Sequence, residues 1–285
     1  MQSAGAGQPD VSRAGAPCVR DASDMDRSPV GGDAARRDRL LLLAGLLGIS
    51  LLAWAMTIAW ADHGASADTA LHVHARPWGA RELGAGFLMW GVMMVAMMAP
   101  TAAPMLLALA RIARAQPGSP GPLPAASACL LGYLAVWTGF SAVATLAQWR
   151  LHDLALVSAS GAAHDAVLAG ALLLGAGTYQ LTPIKRACLG RCRSPLVFLM
   201  RAWRPGAWGG LRMGILQGAF CVGCCWALMA LMFVGGTMNL VWAAGLVALM
   251  LGEKMLPMGG RLGDAAGVGL VAWGCTVLCS ALLAG

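Results

Sequence analysis

Residues 87–105 read FLMWGVMMVAMMAPTAAPM, a stretch without a single charged side chain. About 20 apolar residues are what an α-helix needs to cross the hydrocarbon core of a bilayer. A spanning backbone must also satisfy its own hydrogen bonds, so the stretch is predicted to be a transmembrane helix. The signal repeats along the chain. Apolar windows near residues 40–61, 84–109, 126–149, 164–182, 211–234, 238–257 and 265–284 predict an all-α, polytopic integral membrane bundle of about seven transmembrane helices. Composition agrees: 58% of the 285 residues are hydrophobic and 12% charged, with a mean hydropathy of +0.67, well outside the range of soluble domains.

Residues 1–39 differ. They are rich in Gly, Ala, Asp and Arg, and are expected to form a disordered cytoplasmic tail ahead of a transmembrane domain at 40–285. Arg36 and Arg37 suggest a twin-arginine signal, but the run after them is long enough to span and is read as a retained anchor. With the N-terminus cytoplasmic, every basic residue except Arg76, Arg81 and Arg150 falls inside. The net charge of +7 is thus what the positive-inside rule requires, and no nucleic-acid partner is needed to explain it. The partner this surface predicts is the lipid bilayer. The same topology puts His63, His72, His74, His152 and His164 in outer loops, where His72 and His74 are candidate metal ligands. Gln116–Pro124, rich in Pro and Gly, reads as a linker.

Sulfur is concentrated in two spans. Six methionines fall within Met89–Met105; helical spacing stacks Met89, Met93 and Met97 on one stripe and Met94, Met98 and Met105 on the next. Any one of them is an ordinary packing residue. As a set, followed by Pro100 and Pro104, which remove two backbone donors in mid-span, they suggest a broken helix whose freed carbonyls and thioethers line a path for a soft cation. In the fifth span, Gly214, Gly218, Cys221, Cys225, Met229 and Met232 share one face, with Cys224 beside them. The glycines admit a close partner helix. Thiolates and thioethers are soft donors that suit copper(I) best, with zinc as the alternative. Cys188 and Cys192 lie in an arginine-rich segment expected to be a cytoplasmic loop; a docking pair for metal, a redox pair and two idle thiols are all compatible with it. Glu253 and Lys254 read either as anchors snorkelling at a membrane edge or as buried charges, with the carboxylate pairing to Lys185 or carrying a proton. No nucleotide-binding loop, HExxH helix or serine elbow is present, and the chain is not read as an enzyme.

Three motifs resemble the DUF2182 family of predicted metal-binding integral membrane proteins. They are Met89-Trp90 with Met93-Met94, Ala96-Met97-Met98 and Pro100; Tyr179-Gln180 with Pro183, Lys185, Cys188-Leu189, Cys192-Arg193 and Pro195; and Cys221 to Trp226 with Gly252-Glu253-Lys254. The resemblance covers residues 84–257 and implies copper handling, in the manner of a copper chaperone, in a bacterial inner membrane. Three function classes remain open. One is a copper(I) protein that transports or delivers the ion to or from a metal-donor or metal-acceptor protein, with Met89, Met93, Met94, Met97 and Met98 as a relay and Cys221, Cys224 and Cys225 as the tighter site. Another is a membrane thiol-disulfide oxidoreductase or maturation factor. A plain helix-packing scaffold is the third, bland reading.

Overall fold

The computed structural model describes residues 29–68, 78–115, 121–158, 161–163, 165–202, 204 and 206–284. The helices are α1 (Pro29–Asp68), α2 (Ala80–Ala115), α3 (Pro122–Asp153), α4 (Ala166–Gln180), α5 (Pro183–Arg193), α6 (Pro195–Ala202), α7 (Gly206–Ala230), α8 (Met232–Gly235), α9 (Leu240–Met255) and α10 (Gly259–Ala284). Among the described residues the only β-type pairing is an isolated bridge between Val157 and Ala163. The all-α class holds.

The count of seven spans is not reached. Among the described residues five helices are long and apolar enough to cross a membrane, or six if α4 and α5, bent by 63° at the break between them, form one span. The windows expected at 164–182 and 238–257 became α4 and α9, of 15 and 16 residues. At 1.5 Å per residue these measure only ~22–24 Å, short of the ~30 Å hydrocarbon core. Leu47, Leu51 and Leu52 on α1 and Leu282 and Leu283 on α10 are all exposed, which suits an apolar surrounding.

The chain divides into Met1–Arg37 and Asp38–Gly285. In the first unit α1 already begins at Pro29, so residues 29–39 of the expected tail are helical; Ala34, Ala35 and the arginines are good helix formers. Residues 1–28 lie outside the described residues.

Within the second unit the order of helices follows from a few contacts. Trp90 Nε1 donates to Gln148 Oε1 at 2.7 Å and Thr101 Oγ1 lies 3.0 Å from Tyr133 OH, so α2 and α3 run antiparallel. α3 and α7 run parallel and very close. A Cβ on Gly210 would sit 2.8 Å from the Ala125 carbonyl oxygen, and one on Gly214 would sit 1.9 Å from that of Cys129; only glycine permits this approach. Gly170 and Gly177 of α4 meet Gly274 and Gly267 of α10 in the same way, antiparallel.

Pro100 and Pro104 lie inside a continuous α2, so the helix is not broken where a break was expected. Pro100 cannot donate to the Ala96 carbonyl one turn back, and Ser50 Oγ of α1 donates to it instead, at 2.9 Å. A side chain from a neighbouring helix thus satisfies the freed acceptor. The break falls elsewhere, after α4. Pro183 disfavours helical geometry at the residue before it, and Thr182 is extended, at φ −73 and ψ 148. Its Oγ1 caps the new helix by accepting from Lys185 N at 3.3 Å, with Pro183 at the first helical position.

Candidate metal centre

Cys221, Cys224 and Cys225 stand at i, i+3 and i+4 on α7, the spacing that stacks side chains on one helical face. Their Sγ atoms all lie within 4.8 Å of one another, and the three residues are buried. The Cys224 and Cys225 thiols donate to the Cys221 carbonyl, at 3.1 and 2.8 Å. Cys221 is about 22 Å along the axis from Gly206 and about 21 Å from Gly235, near mid-span.

The segment expected to be a cytoplasmic loop is α5, and it packs on this cluster. Cys192 Sγ is 4.0 Å from Cys224 Sγ. Cys188 faces Gly223, where a Cβ would come within 3.0 Å of its Sγ. Tyr179 holds the approach from the end of α4, donating to the Gly223 carbonyl at 2.5 Å and meeting Trp226 edge-on at 5.1 Å between ring centroids. The physical reason for the misreading is amphipathicity. PIKRACLGRCR is polar on average, but Lys185 and Leu189 are buried, Cys188 and Cys192 half-buried, and Arg186 and Arg191 exposed. Two elements therefore bring four sulfurs together, with a fifth beside them.

Cys221 has a second set of neighbours. Tyr133 OH lies 2.9 Å from its Sγ, and Lys254 Nζ donates to it at 3.1 Å and to Thr101 Oγ1 at 3.2 Å. Thr101 and Tyr133 both donate to the Met98 carbonyl, at 2.9 and 3.3 Å. Helices α2, α3, α7 and α9 thus converge on one sulfur atom. The ammonium of Lys254 thus places a fixed positive charge at the edge of the thiol cluster. Sequence reading missed Tyr133 and Thr101. Tyr133 is one of only two tyrosines in the chain, and a phenol in a largely apolar span is the available signal, but its partners depend on helix register.

The adjacent Glu253 is not at a surface. Lys185 Nζ donates to its two carboxylate oxygens at 2.7 and 2.6 Å, and Gln180 Nε2 donates to Oε1 at 2.7 Å. Lys185 also donates to Gln180 Oε1. Both charged side chains are 2% exposed. Of the alternatives left open for Glu253, pairing with Lys185 is the one observed, and it ties the α4–α5 corner to the last turn of α9.

Met89, Met93, Met94, Met97, Met98 and Met105 are all buried along α2, in the same apolar cluster as the three thiols. One turn before Cys221, Gln217 is buried with Oε1 unpaired. His72, His74 and His164 lie outside the described residues, as does most of the expected linker, residues 116–120. His152 stacks on Trp78, with ring centroids 5.6 Å apart.

No match was found among curated proteins or among solved structures. Residues 87–277 match the family PpoB2, described as a copper chaperone. The match takes in α2 through most of α10, including every residue of the thiol cluster and its polar partners, and by that match the chain belongs to the PpoB2 copper chaperone family.

Proposed function

We propose that this protein is a multi-pass component of a bacterial inner membrane that binds copper(I) within the bundle and hands it to an acceptor protein, without being an enzyme. One observation carries the reading: three buried thiols within 4.8 Å of one another, with a fourth, Cys192, 4.0 Å from Cys224 on a separate element. Soft, polarisable sulfur donors at this density suit copper(I), which is satisfied by two or three thiolates, better than any hard ion. Family membership points the same way.

In this reading Cys221, Cys224 and Cys225 hold the ion, Cys192 and Cys188 offer exchange ligands from α5, and Met89, Met93, Met94, Met97 and Met98 form a weaker thioether path along α2. Methionines release an ion more readily than a closed thiolate cage does, as delivery requires. The ends of α2, α5 and α10 that carry Arg111, Arg114, Arg186, Arg193 and Arg261 face the cytoplasm by the positive-inside rule.

The test is the metal content of detergent-purified protein under anaerobic, reducing conditions. Copper is expected in stoichiometric amount in the native chain and lost from the Cys221→Ser/Cys224→Ser/Cys225→Ser variant; a folded native chain that takes up no copper overturns the reading. The Cys192–Cys224 approach also favours a thiol-disulfide reading, since a modest shift would bring the sulfurs to bonding distance. A Cys192–Cys224 disulfide in copper-free protein isolated without reductant would support that second reading.

A further inference from the structure

Thiol clusters alone do not distinguish copper(I) from zinc, because both are thiophilic. The surroundings of this cluster do distinguish them, through charge. Lys254 Nζ lies 3.1 Å from Cys221 Sγ and is held there by Thr101 Oγ1 at 3.2 Å. The nearest carboxylate in sequence, Glu253, cannot offset that charge, because its oxygens are already engaged by Lys185 and Gln180. Among the described residues no carboxylate or imidazole joins the three thiols. The ion would therefore enter a site that already contains one fixed cation, which no carboxylate of the described residues in the cluster offsets.

We infer that Lys254 sets the charge selectivity of the thiol cluster, admitting monovalent soft ions, copper(I) and silver(I), and penalising divalent ones such as zinc(II) and cadmium(II). The inference rests on the proposed metal-binding role of Cys221, Cys224 and Cys225. A metal bound to Cys221 at the usual ~2.3 Å lies about 5 Å from the ammonium. At an effective dielectric of about 20, each additional positive charge on the ion at that distance lowers affinity by about two orders of magnitude. Any change that the loss of Lys254 makes in the proton cost of binding is common to every ion that displaces the same protons. That effect cancels in the ratio of affinities, whereas the charge penalty does not.

The experiment uses the full chain in detergent under anaerobic conditions. Dissociation constants for copper(I), silver(I), zinc(II) and cadmium(II) are measured by competition with chelators of known affinity, for the native protein, Lys254→Met, Lys254→Gln and Lys254→Arg. Both neutral variants are expected to shift the monovalent-to-divalent affinity ratio toward the divalent ions by about 100-fold, and Lys254→Arg is expected to keep the native ratio. Lys254→Gln retains a polar group within reach of Thr101, so a packing failure in the methionine variant leaves the comparison intact. Copper(I) binding with an unchanged ratio in a folded neutral variant overturns the selectivity role and leaves the metal reading standing. A native chain that binds none of the four ions overturns both.

Discussion

The Lys185–Glu253 pair gives the sharpest test of how α5 is held. In Glu253→Gln the amide is nearly isosteric, but it cannot return charge to an ammonium that is 2% exposed. Two contacts to a carboxylate, at 2.6 and 2.7 Å, become at best one hydrogen bond to an uncharged amide oxygen, and Lys185 keeps only Gln180 as a full partner. Removing one member of a buried pair typically costs about 3–5 kcal/mol, whereas replacing both is often close to neutral. At about 2 °C per kcal/mol for a chain of this size, Glu253→Gln should lower Tm by roughly 6–10 °C. Lys185→Met should do the same, and Lys185→Met/Glu253→Gln should recover most of the loss. The assay is thermal unfolding in detergent across this double-mutant cycle, with the alkylation rate of Cys192 read alongside, because release of the α4–α5 corner should expose that thiol. Single variants that each cost under about 1 kcal/mol and simply add in the double variant would refute the coupling.

Three further outcomes follow from particular contacts. Gly214→Ala places a Cβ 1.9 Å from a backbone oxygen, which cannot yield as a side chain would. It should cost at least the ~1–3 kcal/mol of ordinary overpacking, whereas Gly91→Ala, with nothing within 4 Å, should be neutral or gain about 0.5–1 kcal/mol; equal Tm values would contradict the close approach of α3 and α7. Exchanging Met89, Met93, Met94, Met97 and Met98 for Leu conserves volume at less than about 1.5 kcal/mol each, so the fold should survive while copper transfer to an external chelator slows; an unchanged transfer rate would remove the thioether path. Gln217→Leu deletes a buried carbonyl without a partner and should raise stability by about 1–2 kcal/mol in unfolding measurements, and a fall in Tm would show that the oxygen is engaged.

The fold class was legible in residues 87–105 because a charge-free run of that length has few structural options. The thiol triad was legible because Cys221, Cys224 and Cys225 lie on one helix, where spacing alone sets their geometry. What sequence did not convey was anything that depends on two helices at once. Ser50 satisfying the Ala96 carbonyl, Tyr133 reaching Cys221 and Lys254 reaching Thr101 all require the register between helices, which periodicity does not supply. Segment 183–193 was misread for a different reason. Its mean polarity resembles a loop, and the cues to a helix were local: Thr182 as cap, Pro183 at the first position, and apolar or sulfur side chains at Cys188, Leu189 and Cys192, which share one helical face.

Adjacent residues on the last turn of α9 explain why two charged side chains are worth keeping inside an apolar bundle. Successive helical positions point about 100° apart, so Glu253 can turn toward α5 while Lys254 turns toward α7. One neutralises Lys185 and fixes the corner from which Cys192 reaches Cys224; the other sets its ammonium beside Cys221. Gly259 keeps this turn tight, since a Cβ there would sit 2.1 Å from the Glu253 carbonyl oxygen, and Arg193 of α5 donates to the Leu256 and Pro257 carbonyls just beyond it, at 2.7 and 2.9 Å. A displacement of this turn cannot alter the charge at Cys221 without also straining the contacts that hold α5. Access to the thiols and the electrostatics of the ion they would bind are therefore set by the same few residues, Glu253 to Gly259.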